Sequence, residues 1–208
     1  MFSKPSYPLI GAMLAALAAI ALAAYVAWQV TRPMPIATVG SSSVAVPSLI
    51  KIGGPFTLTD HQGNRVSDEA YRGKLMLIYF GYGYCPDVCP TELQNMAVAL
   101  DEMGEAGAEV LPIFITIDPE RDTVEFMAEY VANFHSRMIG LTGSRDEVDA
   151  AATLYRVYHA KVNSGSDSDY FVDHSSLVYL MGRDGNFLTV FRGATDPQKI
   201  AKTIADYL

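Results

Sequence analysis

The sequence predicts an α/β fold, a central mixed sheet flanked by helices, carried on an N-terminal transmembrane helix. Three observations point there. Two short, continuous apolar runs, Leu75–Phe80 and Val110–Ile117, read as strands buried on both faces, because an exposed face would interrupt them with polar residues. Segments of helical spacing alternate with the strands, in the order strand–helix–strand and then strand–strand–helix. Ahead of these lie 22 residues without a charge, 9–30, nine of them alanine. About 20 apolar residues span a bilayer as a helix.

Residues 1–32 are therefore expected to be a membrane anchor. Tyr7, Tyr25 and Trp28 lie near the ends of the span, where amphipathic rings favour the headgroup level, and Lys4 and Arg32 bracket it. A cleaved signal peptide competes, with Ala21-Leu22-Ala23 as the cleavage site, but the apolar run continues past that point to Val30. Either way the rest of the chain is exported. The expected arrangement is a single pass through an inner or cytoplasmic membrane, with the domain on the periplasmic-like side. Residues 33–47 mix Pro, Gly and Ser and read as a linker, and 48–208 as the domain. The first 47 residues hold two of the 15 basic residues and none of the 23 acidic ones, so the remainder carries −10. An acidic domain without a basic patch excludes nucleic acid as a partner.

The elements follow in order. Phe56–Thr59 and the stretch around Val66, joined by His61-Gln62-Gly63-Asn64, read as an opening hairpin. After the strand Leu75–Phe80, residues Cys89 to Met103 repeat apolar side chains at Leu93, Met96, Ala97 and Leu100, and Gly104 stops the helix. Within Val110–Ile117, Pro112 lacks an N–H and is expected at an end or a bulge. Asp122 with Glu125 three residues on looks like a capping box for a helix to about His135. Asp146–Tyr158 reads as another helix. Leu177–Met181 and Phe187–Phe191, around an Asp184-Gly185 turn, read as a hairpin, and Asp196-Pro197 opens a last helix to Tyr207.

The chain has two cysteines, Cys85 and Cys89, directly after the first buried strand. A strand delivering two thiols to a helix start is the layout of the thioredoxin-like fold. Dithiol oxidoreductases usually place two residues between the cysteines; here there are three, which shifts the reading toward holding a soft metal ion. Pro86 fits a first helical turn, residues four apart share a helix face, and a helix N-terminus favours thiolate over thiol. Two thiolates suit Cu(I), Zn or Fe–S. A third ligand must come from His61, His135, His159 or His174. His174 stands out, in Val172-Asp173-His174-Ser175-Ser176 just before the strand Leu177–Met181. In a thioredoxin-like fold that loop lies beside the cysteine helix, and oxidoreductases carry a cis-proline there. No proline occurs between Pro119 and Pro197. A Cys2His set is trigonal for Cu(I) and open to a further ligand for Cu(II), whereas structural zinc wants four ligands. A redox-active disulfide between Cys85 and Cys89 is the other use of the pair. His61 in a turn, and His135 and His159 near helix ends, are assigned no metal role. Asp118–Asp122 reads as turn and helix cap, Asp87 as stabilising the helix start or tuning the field at the thiols, Asp173 as a side chain that steers His174, and Tyr79, Tyr82 and Tyr84 as packing around the site.

Three ordered motifs, GYGYCPDVCPTEL (81–93), DPERDT (118–123) and DHSS (173–176), with GGPFTLTD (53–60) before them, resemble the Sco/SenC family of copper-binding assembly factors. The resemblance runs from about Gly53 to the C-terminus. It implies a thioredoxin-like fold, copper as Cu(I) or Cu(II), one per domain, and the ligands Cys85, Cys89 and His174. It also implies a role in maturing the dinuclear copper site of cytochrome c oxidase subunit II, or another exported copper protein, with an upstream copper donor. Metallochaperone, thiol–disulfide reductase, peroxidase-like enzyme and copper sensor all stay open at this point. One departure is Gly83, where the family often has threonine; a looser loop is expected there.

Overall fold

Leu75–Gly81 (β3) is buried at all seven positions, as a continuous apolar run between two covered faces requires. Val110–Thr116 (β4) runs parallel to it, in register from Leu75 opposite Val110 to Gly81 opposite Thr116. The two strands therefore end level with each other, and the loops after them leave from one end of the sheet. The computed structural model describes residues 51–166 and 169–208, preceded by six helical residues, Ala21, Leu22, Ala24, Tyr25, Trp28 and Gln29.

Seven strands form the main sheet. Thr57–Asp60 (β1) and Arg65–Ser67 (β2) make the expected opening hairpin. Ile139–Thr142 (β5) runs parallel to β4 and joins it to β1. Leu177–Met181 (β8) lies antiparallel to β3, and Phe187–Arg192 (β9) pairs with β8. The order is β2-β1-β5-β4-β3-β8-β9. Because β8 is antiparallel to β3, its first residues start at the end of the sheet where β3 finishes. His159–Ser166 (β6) and Asp169–His174 (β7) form a separate antiparallel pair, with His159 opposite His174.

The helices are Val88–Glu102 (α1), Val124–Ala132 (α2), Arg145–Leu154 (α3) and Pro197–Ala205 (α4). α1 packs on β3 and β4 and against α4, α2 packs on β5, and α3 on β1. The mixed sheet flanked by helices is the thioredoxin-like arrangement the sequence predicts.

Several local expectations change. Pro86 lies before α1, whose N-cap is Asp87; Pro90 occupies its first turn instead. Pro112 is at neither end nor bulge of β4. It sits one residue before β5 joins at Ile113, where the strand has a single neighbour and its missing N–H breaks no ladder. Thr123, not Asp122, caps α2, its side chain accepting from Phe126 N, and the helix ends at Ala132 rather than near His135. A capping box of Ser144 and Glu147 starts α3, which stops at Leu154, before Arg156 enters the left-handed region at φ 59°. Asp196 caps α4 as expected, accepting from Gln198 N and Lys199 N. Among the described residues no helix is long and apolar enough to cross a membrane. The linker expected at 33–47, and all of the span expected at 9–30 except those six helical residues, fall outside the described residues. The chain divides into two units, Met1–Pro47 and Ser48–Leu208.

Candidate metal centre

At the end of β3 the chain turns, Cys85 N–H donating to the Tyr82 carbonyl at 3.2 Å, and enters α1 three residues later. Cys85 is thus a loop residue and Cys89 a first-turn helix residue; the one-face argument for two helical cysteines does not apply. The sulfurs meet because the helix N-terminus points back at the loop. Cys89 N–H donates to Cys85 Sγ at 3.4 Å. Cys89 rests against the strand at Gly81, where an added Cβ would lie 2.9 Å from Cys89 Sγ, so this approach needs glycine.

His174 ends β7, directly before the residues that lead into β8, and comes to the same end of the sheet. Its Nε2 is 3.3 Å from Cys89 Sγ, and its Nδ1 is 3.1 Å from the Ser175 carbonyl. With the proton on Nδ1 donated to that carbonyl, Nε2 presents its lone pair to the sulfurs. Ser175, rather than Asp173, is the polar group that orients the ring. Tyr79 and Tyr82 wall it edge-on, each with ring centroids 6.0 Å from the imidazole. The three ligand atoms of Cys85, Cys89 and His174 all lie within 4.8 Å of one another.

The two thiols are unequal. Cys85 is drawn down to about 3 by the hydrogen bond from Cys89, helped by the amides of Asp87 and Cys89. Cys89 is pushed up by holding that shared proton and by complete burial. Cys85 is the thiolate of the pair, and Cys89 the thiol. The Tyr79 hydroxyl donates to Cys89 Sγ at 3.7 Å, and burial raises its own pKa, which keeps it a donor. Both cysteines are free in this structure.

A groove of about 330 Å3 opens onto the site, lined among others by Tyr82, Cys85, Val88, Phe171, Asp173 and His174. Val88 and Phe171 are exposed on its walls, and Cys85 forms part of its floor. A soft donor pair beside an imidazole, reachable through an open groove, suits binding and releasing a soft cation.

The other histidines are not part of this cluster, although His159 lies opposite His174 across β6 and β7. His61 Nδ1 accepts from Gly140 N, His135 faces Asp101 at 3.6 Å, and His159 faces Asp149 at 3.4 Å. Burial lowers the pKa of both His135 and His159, so they serve as neutral, packed rings rather than cations at helix ends. Tyr79 and Tyr82 pack around the site as expected, while Tyr84 is exposed and stacks on Phe126 at 5.1 Å.

The larger correction concerns Asp118 and Asp122. Both are fully buried. Asp118 accepts from Tyr170 Oη at 2.7 Å and from Arg121 Nε. Asp122 accepts from Thr116 Oγ1 at 2.6 Å and from Gly83 N at 2.9 Å, bracing the cysteine loop from behind. A turn-and-cap reading of this acidic segment missed these residues. The available signal was its position: it follows β4 as the cysteines follow β3, and parallel strands bring both loops to one end.

The SCO1/SenC family profile matches residues 46–208. The human mitochondrial SCO1 homologue is 46% identical over 159 residues, covering 76% of this chain and 53% of that protein. Bradyrhizobium japonicum ScoI with copper bound is 44% identical, with a TM-score of 0.71 over 76% of this chain and 99% of that one. Arabidopsis thaliana ScoI with copper bound is 43% identical, with a TM-score of 0.71 over 75% and 97%. The chain spans about half the length of the curated relatives it matches. With nearly the whole domain inside the matched region, and with sheet order and cysteine loop accounted for, the chain belongs to the SCO1/SenC family.

Proposed function

We propose that this chain is a membrane-anchored copper chaperone. Cys85 Sγ, Cys89 Sγ and His174 Nε2 hold one Cu(I) or Cu(II) as cargo, received from an upstream donor. They pass it to the dinuclear copper site of cytochrome c oxidase subunit II or another exported copper protein. The observation that carries this reading is the convergence of two sulfurs and one imidazole nitrogen within 4.8 Å. The donor set fits the cargo: two soft ligands and one borderline ligand satisfy trigonal Cu(I), and the same three leave Cu(II) an open position. Family membership, and relatives solved with copper bound, support it. The groove supplies the release route, because a partner thiolate entering it reaches the Cys85 side of the site first. The uncharged stretch 9–30 supports the anchor.

Copper titration of the full chain tests it. One ion should bind, and the thiolate-to-Cu(II) absorption band should vanish in Cys85→Ser, Cys89→Ser and His174→Ala. Stoichiometric, tight binding that survives His174→Ala would refute the ligand set.

The unequal thiols support a second use of the same atoms. A Cys85 thiolate can attack a partner disulfide, expelling one partner thiolate; that thiolate takes the Cys89 proton, and the Cys89 sulfur then displaces the second partner thiolate and closes the Cys85–Cys89 disulfide. Two electrons pass from the pair to the partner, which prepares a partner's cysteines to take copper. Catalytic disulfide turnover by metal-free protein, with a recycling reductant supplied, would make this the main role.

A further inference from the structure

The site is assembled from two pieces with no continuous backbone between them, the loop 82–87 that carries Cys85 and the β6–β7 hairpin that carries His174. Tyr82 of the loop meets His174 directly, edge to ring, and one side chain outside both pieces touches each of them. Arg121 Nη1 donates to the Tyr170 carbonyl at 3.2 Å, and its guanidinium carbon sits 3.7 Å from the Tyr170 ring centroid. The same guanidinium lies 4.8 Å from the Tyr84 ring and 5.7 Å from the Tyr82 ring, on the cysteine loop. Its Nε donates at 2.5 Å to Asp118, which is fully buried and also accepts the Tyr170 hydroxyl. Arginine, carboxylate and tyrosine thus close a ring of contacts spanning the loop after β4, the cysteine loop and β7.

Tyr170, Val172 and His174 alternate along β7. Tyr170 and Val172 face inward at 8% and 5% exposure, while Phe171 between them is 51% exposed. Residues i, i+2 and i+4 of a strand share a face, so fixing Tyr170 fixes the face from which His174 projects. A lone two-stranded ribbon is marginal in water, and among the described residues the other polar ties of this one to the domain include Lys161 to Glu120 and His159 to Asp149. Resting on the copper reading, we propose that Arg121 is the positioning residue of the metal centre. It holds the hairpin against the cysteine loop, keeps His174 within reach of the sulfurs, and sets how fast the cargo leaves. Lysine cannot replace it: an ammonium keeps the charge beside Asp118, but has neither the second directed N–H nor a flat face for three rings.

Arg121→Lys in the full chain is the test, with Tyr170→Phe as a milder variant that keeps the ring and loses only the hydroxyl. Release of Cu(I) to bathocuproine disulfonate should be about tenfold faster in Arg121→Lys, the usual scale for removing a group that orients a ligand. Added to His174→Ala, the same change should alter release less than about twofold, because an effect acting through His174 has nothing left to act on. In metal-free protein, amide exchange should quicken in β7 and stay unchanged in α4. Multiplicative losses in the double variant, or an unchanged β7 exchange rate, would overturn the proposal. Failure of wild-type protein to bind copper would instead overturn the copper reading, and the metal-free exchange comparison would still decide whether the clamp exists.

Discussion

Asp122 should make the domain less stable as pH rises through the weakly acidic range, against the usual behaviour of a carboxylate. Its side chain is fully buried; Thr116 and Gly83 both donate to Oδ2, while Oδ1 is buried with no partner. Burial outweighs the hydrogen bonds and lifts its pKa from 3.8 to about 6. Between those two values the folded state holds a proton that the unfolded chain has lost, so stability falls with pH across that window. The full loss is present above about pH 6, and a rise from 3.8 to about 6 is worth about 3 kcal/mol. Asp122→Asn cannot titrate, yet keeps an oxygen for Thr116 and Gly83. The measurement is urea unfolding of metal-free wild-type and Asp122→Asn chains at intervals from about pH 3.5 to 7.5. Wild-type stability minus variant stability should fall by about 3 kcal/mol over that range, whatever its absolute value. A difference that stays flat, or rises with pH, would refute the reasoning, because it would mean that the carboxylate is ionised in place without penalty.

Two further outcomes follow from contacts at the cysteine loop. A Cβ on Gly83 would collide with the Phe126 ring, which is stacked between Tyr84 and Tyr130, so the ring has to leave that stack to make room. Gly83→Thr should cost about 1–3 kcal/mol in urea unfolding, and Phe126→Ala in the same chain should recover most of it; a neutral Gly83→Thr would disprove the packing argument. Cys85, held as thiolate down to about pH 3, should react with iodoacetamide at a nearly constant rate from pH 5 to 8 in reduced, metal-free protein. An ordinary cysteine would speed up about tenfold per pH unit there, and that result would refute the assigned proton.

How much was legible in the sequence follows from which signals are local. β3 and β4 announced themselves because burial on both faces demands unbroken apolar runs. The opening hairpin and the Asp196-Pro197 cap were readable from turn and cap chemistry, which needs only neighbours. β5, four residues with a central glycine, offers too little pattern, and its existence depends on β4 and β1 flanking it. The β6–β7 pair hides in Asn, Ser, Gly and Asp, residues that favour turns by propensity and form a hairpin here through tertiary ties to Arg121 and Asp118. At the candidate metal centre, the proposed ligand set came from residue types with little competition, two cysteines and four histidines. The supporting carboxylates did not, because an Asp that caps a helix and an Asp that is buried behind a loop look alike until β4 is known to end beside β3. Gly83 shows the same limit. Its departure from the family's threonine suggested slack, yet Phe126, far along the chain, fills the space.

On the copper reading, the way the three ligands are mounted also orders their exchange. Cys89 is fully buried in the first turn of α1, pressed against Gly81 and under the Tyr79 hydroxyl, so displacing it means disturbing the sheet end itself. Cys85 sits in the loop at the groove, and His174 on a hairpin whose neighbour Phe171 faces solvent. An incoming thiolate meets these two first. His174 stands on a two-stranded hairpin and can swing away with it, whereas Cys85 is tied to the first turn of α1 through the Cys89 N–H. Departure of His174 therefore opens the coordination sphere at the smallest cost in packing, and Cys89 is the last protein atom to let go. The extra residue between the cysteines fits this order: it sets Cys85 off the helix and onto the groove, giving the pair one sulfur that partners can reach and one that they cannot.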